Sequence, residues 1–247
     1  MGGWFEEETF WKKFKGVLFS QDRMKETPYH VDRIVEMLDL EEGDKIFDQC
    51  CAIGRLSLEF ARRGYEVTGI DLTDPYLEEA RNKAEEQGLD VEFIKADMRE
   101  FKREETFDAA LNFFTSFGYF KDDEENKKAL ENVYLSLKSG GKFLLDVMGK
   151  EVIDKVYTDT DKWRMDDGYF VEEREIREDL EMLVSNWKLV KDDGEVYEHE
   201  FMYKLYSREK IEAILRDVGF RNIEIYGDLE GSPYDEDSSR LIAIAEK

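Results

Sequence analysis

The chain has 247 residues, of which 41% are hydrophobic and 39% are charged, and its formal net charge is −24 at pH 7. This hydrophobic fraction is enough for a folded core and excludes a disordered chain. No apolar run approaches the ~18 residues that would cross a bilayer. The acidic excess counts against nucleic-acid binding, which depends on Lys and Arg neutralising phosphates. We therefore expect a globular protein with no nucleic-acid partner and no membrane segment.

The N-terminal residues and the cysteines bear on location and metal content. Residues 1–8 are acidic and lack the basic-then-apolar order of a signal peptide, so we expect a cytoplasmic protein. The chain has two cysteines, the adjacent Cys50 and Cys51, which are too few for a disulfide framework or a structural zinc site. We expect no metal, and the sequence makes no prediction of oligomeric state.

Strand and helix patterns alternate through the middle of the chain, which is typical of βαβ units and a parallel sheet. Two helices are predicted upstream of this region, at Phe10–Phe19 and Val31–Leu38. The predicted strands are Lys45–Gln49, Glu66–Asp71, Val91–Ile94, Phe107–Asn112 and Lys142–Val147. The predicted helices between them are Leu56–Arg63, a helix that starts at the N-cap Asp74 with Pro75 and ends at Gly88, and Glu124–Leu137 before Ser139-Gly140-Gly141.

After Gly149 the pattern changes to a period of two, which predicts antiparallel strands. The predicted strands lie near residues 169–177, 180–189 and 198–206, with a hairpin turn at 192–194, and we assign Trp163 and Trp187 to the core of this insertion. A helix capped by Ser207 and ended by Gly219 follows, and then strands Asn222–Tyr226 and Arg240–Ala245. We therefore expect N-terminal helices at 1–40, a core at 41–149, an antiparallel insertion at 150–206, and a C-terminal helix and two strands at 207–247.

Ligands of open α/β sheets bind beyond the carboxyl ends of the strands. Small residues at Cys50, Ala52 and Gly54 follow the first strand and would let a ligand approach the backbone. An ordinary tight turn explains that segment equally well. Asp71 ends the second strand, where an acid can accept both hydroxyl hydrogens of a ribose; the alternatives are a solvated strand end or an additional helix cap.

The choice of adenosine ligand rests on the loop after the first strand. A dinucleotide loop G-x-G-x-x-G would require glycines at the positions of Cys50, Ala52 and Arg55. S-adenosylmethionine (SAM) has no phosphate and carries a sulfonium cation, which suits an acidic site better.

The stretch KIFDQCCAIGRLSLEFARRGYEVTGIDLTDPYLEEAR, residues 45–81, resembles the SAM-binding segment of class I SAM-dependent methyltransferases of the small-molecule type. Residues 94–101, 107–120, 137–147 and 206–220 resemble later motifs of the same family, in the same order, so the resemblance extends from about residue 29 to the end. It implies a Rossmann-like, mostly parallel seven-stranded sheet with helices on both faces, an inserted antiparallel β lid, and methyl transfer from SAM to a small-molecule acceptor.

The resemblance also implies roles for individual residues. Cys50, Ala52 and Gly54 would border the methionine and ribose of SAM. The remaining implied contacts are Asp71 at the ribose, Leu72, Asp97 and Met98 at the adenine, Asn112 and Phe113 at the methionine and transfer site, and Tyr29 closing over the cofactor.

Ala52 departs from the family pattern, in which glycine usually occupies this position. If Ala52 has a positive φ, its Cβ costs about 1 kcal/mol or more. If its φ is negative, the methyl group only narrows the cleft.

Methyl transfer is an in-line displacement that depends mainly on alignment, and a general base is needed only when the nucleophile arrives protonated. The sequence offers His199, Asp146 and Tyr119 as candidates. We expect His199 to be packed inside the insertion rather than to face the substrate, and His30 to cap a helix or lie on the surface. Asp146 could orient an amine or simply accept hydrogen bonds at a strand end, and Tyr119 belongs to an aromatic segment that could attract a cation or pack in the core.

Three other functions remain open from the sequence. A SAM-binding protein without turnover would bind the donor and methylate nothing. A nucleotide-dependent oxidoreductase would be stabilised by NAD alone, and a scaffold with a decayed adenosine site would respond to no ligand.

Overall fold

The computed structural model describes residues 3–177, 181–235 and 237–247. Its helices are a 3-10 turn at Trp4–Glu6 and then α1 Glu8–Leu18, α2 Gln21–Lys25, α3 Thr27–Leu38, α4 Arg55–Arg62, α5 Asp74–Gln87, α6 Asp123–Ser136, α7 Lys150–Val156 and α8 Arg208–Val218. Its strands are β1 Lys45–Gln49, β2 Glu66–Asp71, β3 Val91–Lys95, β4 Phe107–Asn112, β5 Leu137–Val147, β6 Thr160–Met165, β7 Gly168–Arg177, β8 Met182–Lys191, β9 Val196–Lys204, β10 Arg221–Tyr226 and β11 Leu241–Glu246.

Seven strands form one sheet in the order β10-β11-β5-β4-β1-β2-β3, and only β11 runs against the other six. Apolar side chains cover both faces of this sheet, which explains the nearly continuous hydrophobic run of β5. The strand order reverses between β1 and β4, which is where open α/β sheets bind ligands. The predicted seven-stranded, mostly parallel sheet is confirmed.

A second sheet holds β6-β7-β8-β9, all antiparallel, with the predicted hairpin turn between β8 and β9. Its inner face packs against α1, where Phe10 and Phe14 are buried with Phe170, Leu189 and Phe201. Helix α1 also contacts α5, since the Tyr76 hydroxyl donates to the Trp11 carbonyl at 2.5 Å. Helix α1 therefore joins the second sheet to the main one.

Several predicted boundaries were wrong for local reasons. The residue that caps α5 is Thr73 rather than Asp74. Helix α6 begins after Asp122, whose side chain accepts from the Glu124 amide, and ends at Ser136, because Leu137 already adopts extended backbone at the start of β5.

Three elements and one side chain were also missed or misplaced. Short helices α2 and α7 and the edge strand β6 were not predicted. Trp163 lies on β6 and is 46% exposed rather than buried, stacking on Phe170 at 5.4 Å, whereas Trp187 packs in the insertion core as predicted. The start of the strand predicted at 180–189 falls partly outside the described residues.

Within the described part of the chain, no helix combines the length and the hydrophobicity needed to cross a membrane.

Candidate active site

The loop between β1 and α4 bends through three left-handed residues, Cys50 at φ +66°, Ala52 at +49° and Gly54 at +71°. The Cys51 amide donates to the Ile70 carbonyl at 2.8 Å, which ties the loop to β2. Cys50 and Ala52 line a cavity at the carboxyl ends of the strands.

Gly54 has a packing role rather than a place on the cavity wall. A Cβ at this position would lie 2.7 Å from the Phe93 ring and 2.9 Å from the Ala80 Cβ. Such distances leave no room for any side chain, so Gly54 allows α4 to pack closely against β3 and α5.

Asp71 joins the ends of β1 and β2. Its Oδ2 accepts from the Ala52 amide at 2.9 Å and its Oδ1 accepts from the Thr73 amide at 2.8 Å. Burial raises the pKa of Asp71, although these backbone hydrogen bonds oppose the shift. A carboxylate has about four acceptor sites, so each oxygen retains capacity for a ligand hydroxyl. Asp71 and Leu72 both line the cavity.

Asp97 and Met98 follow β3 and line the same cavity. Burial alone would raise the pKa of Asp97, but hydrogen bonds from Arg99 outweigh it, so this pKa lies below its usual value and Asp97 stays ionised. The Met98 sulfur lies 3.6 Å from the Cys50 sulfur, so the ends of β1 and β3 meet here.

The segment after β4 supplies an aromatic wall, in which Phe113, Phe114, Tyr119 and Phe120 line the cavity. Asn112, by contrast, is fully buried, and its Nδ2 donates to Gln49 Oε1 at 2.9 Å. Asn112 therefore links β4 to β1 behind the cavity rather than lining it.

The N-terminal segment covers the strand ends. Phe5, Trp11, Leu18, Phe19 and Arg23 complete the cavity from this side. The cavity, counted together with the solvent-filled space at its open mouth, spans about 1120 Å³. Within the described ranges, no cluster of three or more His, Cys, Asp or Glu side chains could hold a metal ion.

A family model described as a methyltransferase domain matches residues 46–141, which include β1 to the first part of β5 and most of the cavity wall. A protein of Geobacillus sp. (strain WCH70) that carries the name of a methyltransferase is 26% identical over 239 residues, covering 91% of this chain and 95% of that protein. The matched segment is a methyltransferase domain, and the chain is a SAM-dependent methyltransferase.

Solved structures share the fold of this methyltransferase at low sequence identity. A SAM-dependent methyltransferase from Clostridium acetobutylicum superposes with a TM-score of 0.80 at 19% identity, covering 96% of this chain and 97% of that one. A SAM-bound amino pentose methyltransferase from Micromonospora echinaspora, involved in calicheamicin biosynthesis, gives 0.69 at 20% identity, covering 96% of both chains.

SAM is the methyl donor of this methyltransferase, and the side chains that line the cavity suit its chemistry. Asp71 presents acceptor oxygens where three strand ends converge, and the bent loop at Cys50 and Ala52 brings backbone to the cavity wall. The sulfur of Met98 and the aromatic wall offer polarizable surface to an adenine ring and to a sulfonium.

Four further side chains that the sequence analysis considered do not line the cavity of the methyltransferase. The Tyr29 ring is 43% exposed and its hydroxyl donates to Glu230, and Tyr29 does not line the cavity. His199 packs against Phe10 inside the second sheet, at 4.7 Å between ring centroids, which matches the packing role expected for it. His30 lies within α3, where its Nδ1 is 2.9 Å from an Arg55 nitrogen, rather than on the surface or in a cap.

Asp146, the fourth, is a structural acceptor. Its Oδ1 accepts from Arg240 Nε at 2.6 Å and its Oδ2 accepts from the Phe114 amide at 2.9 Å. Both oxygens therefore help to hold the segment after β4, in which Phe114 and Thr115 have positive φ. Of the catalytic candidates, only Tyr119 lines the cavity.

The sequence reading missed the residues that reach the cavity of the methyltransferase from outside the strand ends, chiefly Trp11, Phe19, Arg23, Arg55 and Tyr76. The aromatic content of the predicted helix Phe10–Phe19 was a signal for a buried face. Nothing in its periodicity says which part of the fold that face covers.

Proposed function

We propose that this methyltransferase transfers the methyl group of SAM to a small-molecule acceptor held between the aromatic wall and the N-terminal helices. The lining of the cavity carries the proposal, because an aromatic wall lies beside the strand ends that hold Asp71 and Asp97, and α1 and α2 cover both. The net charge of −24 opposes a nucleic-acid substrate. The fold neighbour from Micromonospora echinaspora acts on an amino pentose, which is also small.

In this proposal the donor lies along the ends of β1, β2 and β3. Asp71 accepts the ribose hydroxyls with the lone pairs that Ala52 and Thr73 leave free. Leu72, Asp97 and Met98 surround the adenine, and the bent loop at Cys50 borders the methionine. When bound, SAM supplies an electrophilic methyl group on a positively charged sulfur.

The protein's part in the transfer is alignment and exclusion of water. Burial raises the pKa of Tyr119, so its hydroxyl stays protonated and acts as a hydrogen-bond donor. Burial likewise raises the pKa of the Cys50 thiol well above its usual value, so that thiol stays neutral. Neither Tyr119 nor Cys50 is therefore the base that would remove a proton from the acceptor.

We further propose that the N-terminal helices at 1–40 cap the cofactor site and that the insertion at 150–206 acts as a substrate lid on the core formed by 41–149 and 207–247. Phe10 and Phe14 of α1 pack on the inner face of the second sheet, which couples the cap to the lid. Exchanging 150–206 for the corresponding segment of another methyltransferase should change acceptor preference while leaving the affinity for SAM unchanged. Unchanged acceptor preference would contradict the lid role.

The function is tested by measuring S-adenosylhomocysteine release with a panel of small amines, alcohols, phenols and carboxylates, alongside tRNA and an unfolded protein. We expect release with at least one small molecule and none above background with the macromolecules. Transfer only to a macromolecule would contradict the proposal. Tight SAM binding with no transfer to any member would instead favour a binding protein without turnover.

A further inference from the structure

Three guanidinium groups surround the ring of Phe114 on the aromatic wall of the cavity. The Cζ atoms of Arg23, Arg55 and Arg240 lie 5.2, 5.3 and 5.6 Å from the ring centroid. The ring is 40% exposed and lines the cavity together with Arg23 and Arg55. We call these three arginines with Phe114 the arginine cluster. A chain with 60 acidic residues thus collects positive charge at one wall of its cavity.

The three arginines differ in how their charge is compensated. Arg240 forms an ion pair with Asp146, whose side chain is only 3% exposed. Arg23 donates to the Leu18 carbonyl at 3.2 Å, and Arg55 donates to Thr27 Oγ1 at 3.2 Å and contacts His30. Among residues 3–177, 181–235 and 237–247, no carboxylate lies within 4.0 Å of either Arg23 or Arg55.

The protein environment disfavours the charged forms of Arg23 and Arg55. Burial lowers the pKa of Arg23, and the charge of Arg240 lowers it further. Burial also lowers the pKa of Arg55, and Glu26 and Asp48 attract its charge only from a distance. Planar guanidinium groups bind carboxylates and phosphates in a bidentate manner, so both arginines retain donors for an anionic ligand.

The donor alone does not neutralise both arginines. SAM carries one carboxylate, one ammonium group and one sulfonium, so its binding adds a net positive charge to the cavity. We therefore infer that the acceptor carries an anionic group, a carboxylate or a phosphate, which Arg23 and Arg55 bind beside the Phe114 ring. This inference rests on the proposed function, since it names the acceptor class of the same cavity.

The first test compares matched acceptors in which one scaffold carries a carboxylate, a phosphate ester, a neutral amide or an ammonium group. We expect kcat/KM to be at least tenfold higher for an anionic member than for the matching amide. Comparison of the carboxylate with the phosphate ester then shows which anion the protein prefers. Equal or faster transfer to the neutral or cationic members would overturn the inference while leaving the proposed function intact.

The second test uses Arg23→Gln, with Arg23→Lys as the conservative variant and Arg33→Gln as the control. Arg33 lies on α3, pairs with Glu36 and does not line the cavity. For the best acceptor, Arg23→Gln should raise KM roughly 10- to 100-fold, with Arg23→Lys intermediate, Arg33→Gln unchanged, and the Kd for SAM within threefold of wild type. A raised Kd for SAM with an unchanged acceptor KM would assign the arginine cluster to the donor's carboxylate and overturn the inference.

A third readout does not require turnover. The Tm of protein saturated with S-adenosylhomocysteine is measured in inorganic phosphate or in acetate and is compared with the Tm in chloride at the same ionic strength. Either anion should stabilise wild type and Arg33→Gln more than Arg23→Gln. Equal shifts in all three proteins would overturn the inference, even if the panel shows that the proposed function also fails.

Discussion

Replacing Ala52 with glycine should stabilise this methyltransferase, because Ala52 has a φ of +49°. A left-handed conformation costs a residue with a Cβ about 1–2 kcal/mol. Glycine removes that cost but increases the entropy of the unfolded chain, which offsets about 0.4–1 kcal/mol. The expected net gain is therefore about 0 to 1.6 kcal/mol, and 1 kcal/mol corresponds to a rise of roughly 2–4 °C in Tm for a chain of this size.

Two further variants serve as controls for this prediction. Ala61→Gly makes the same atomic change inside helix α4 and should destabilise by about 1 kcal/mol. Gly54→Ala places a Cβ 2.7 Å from Phe93 at a φ of +71° and should destabilise by about 2–5 kcal/mol, the sum of backbone strain and overpacking. Urea denaturation of the three variants measures these differences. If Ala52→Gly lost as much stability as Ala61→Gly, the left-handed bend at residue 52 would be refuted.

Three further predictions concern stability. Burial raises the pKa of Asp48 from 3.8 to about 6, so the free energy of unfolding is highest below pH 3.8 and falls as pH rises through 6. Asp48→Asn should remove this pH dependence, which urea denaturation at several pH values measures. At pH 8 the variant should be more stable than wild type by up to about 3 kcal/mol. Arg240→Gln leaves the buried Asp146 carboxylate without its ion-pair partner and should lower the free energy of unfolding by about 3–5 kcal/mol. Adding Asp146→Asn should restore most of this stability, which a double-mutant cycle in urea measures. Phe14→Ala should cost about 3–5 kcal/mol in the same assay, and a loss below 1 kcal/mol would contradict the docking of α1 on the second sheet.

Elements whose signals are local could be predicted from the sequence. Helix α8 begins where the Ser207 side chain accepts from the Lys210 amide and ends at Gly219 with a φ of +117°, and both features follow from residue type. The position of Asp71 at the end of a strand beside a small-residue loop likewise placed it on the cavity wall.

Features that depend on contacts between distant segments could not be predicted. Arg240 and Asp146 are 94 residues apart in sequence, and only the antiparallel pairing of β11 with β5 brings them together. Strand β6 is an edge strand whose residues are mostly exposed, so it lacks a clear alternation. The Asn112 side chain donates to Gln49, its partner on the adjacent strand β1, and does not line the cavity.

The most direct test of the account is the affinity for SAM of the Asp71→Ala variant, measured by isothermal titration calorimetry. Two ribose hydroxyls bound to a charged acceptor contribute about 1.5–3 kcal/mol each, so the Kd should rise roughly 10²- to 10⁴-fold. Asp74→Ala, which removes an equal charge three residues further along at an exposed position, should bind SAM as wild type does. If a folded Asp71→Ala variant bound SAM with wild-type affinity, the donor site proposed at the ends of β1 and β2 would be contradicted.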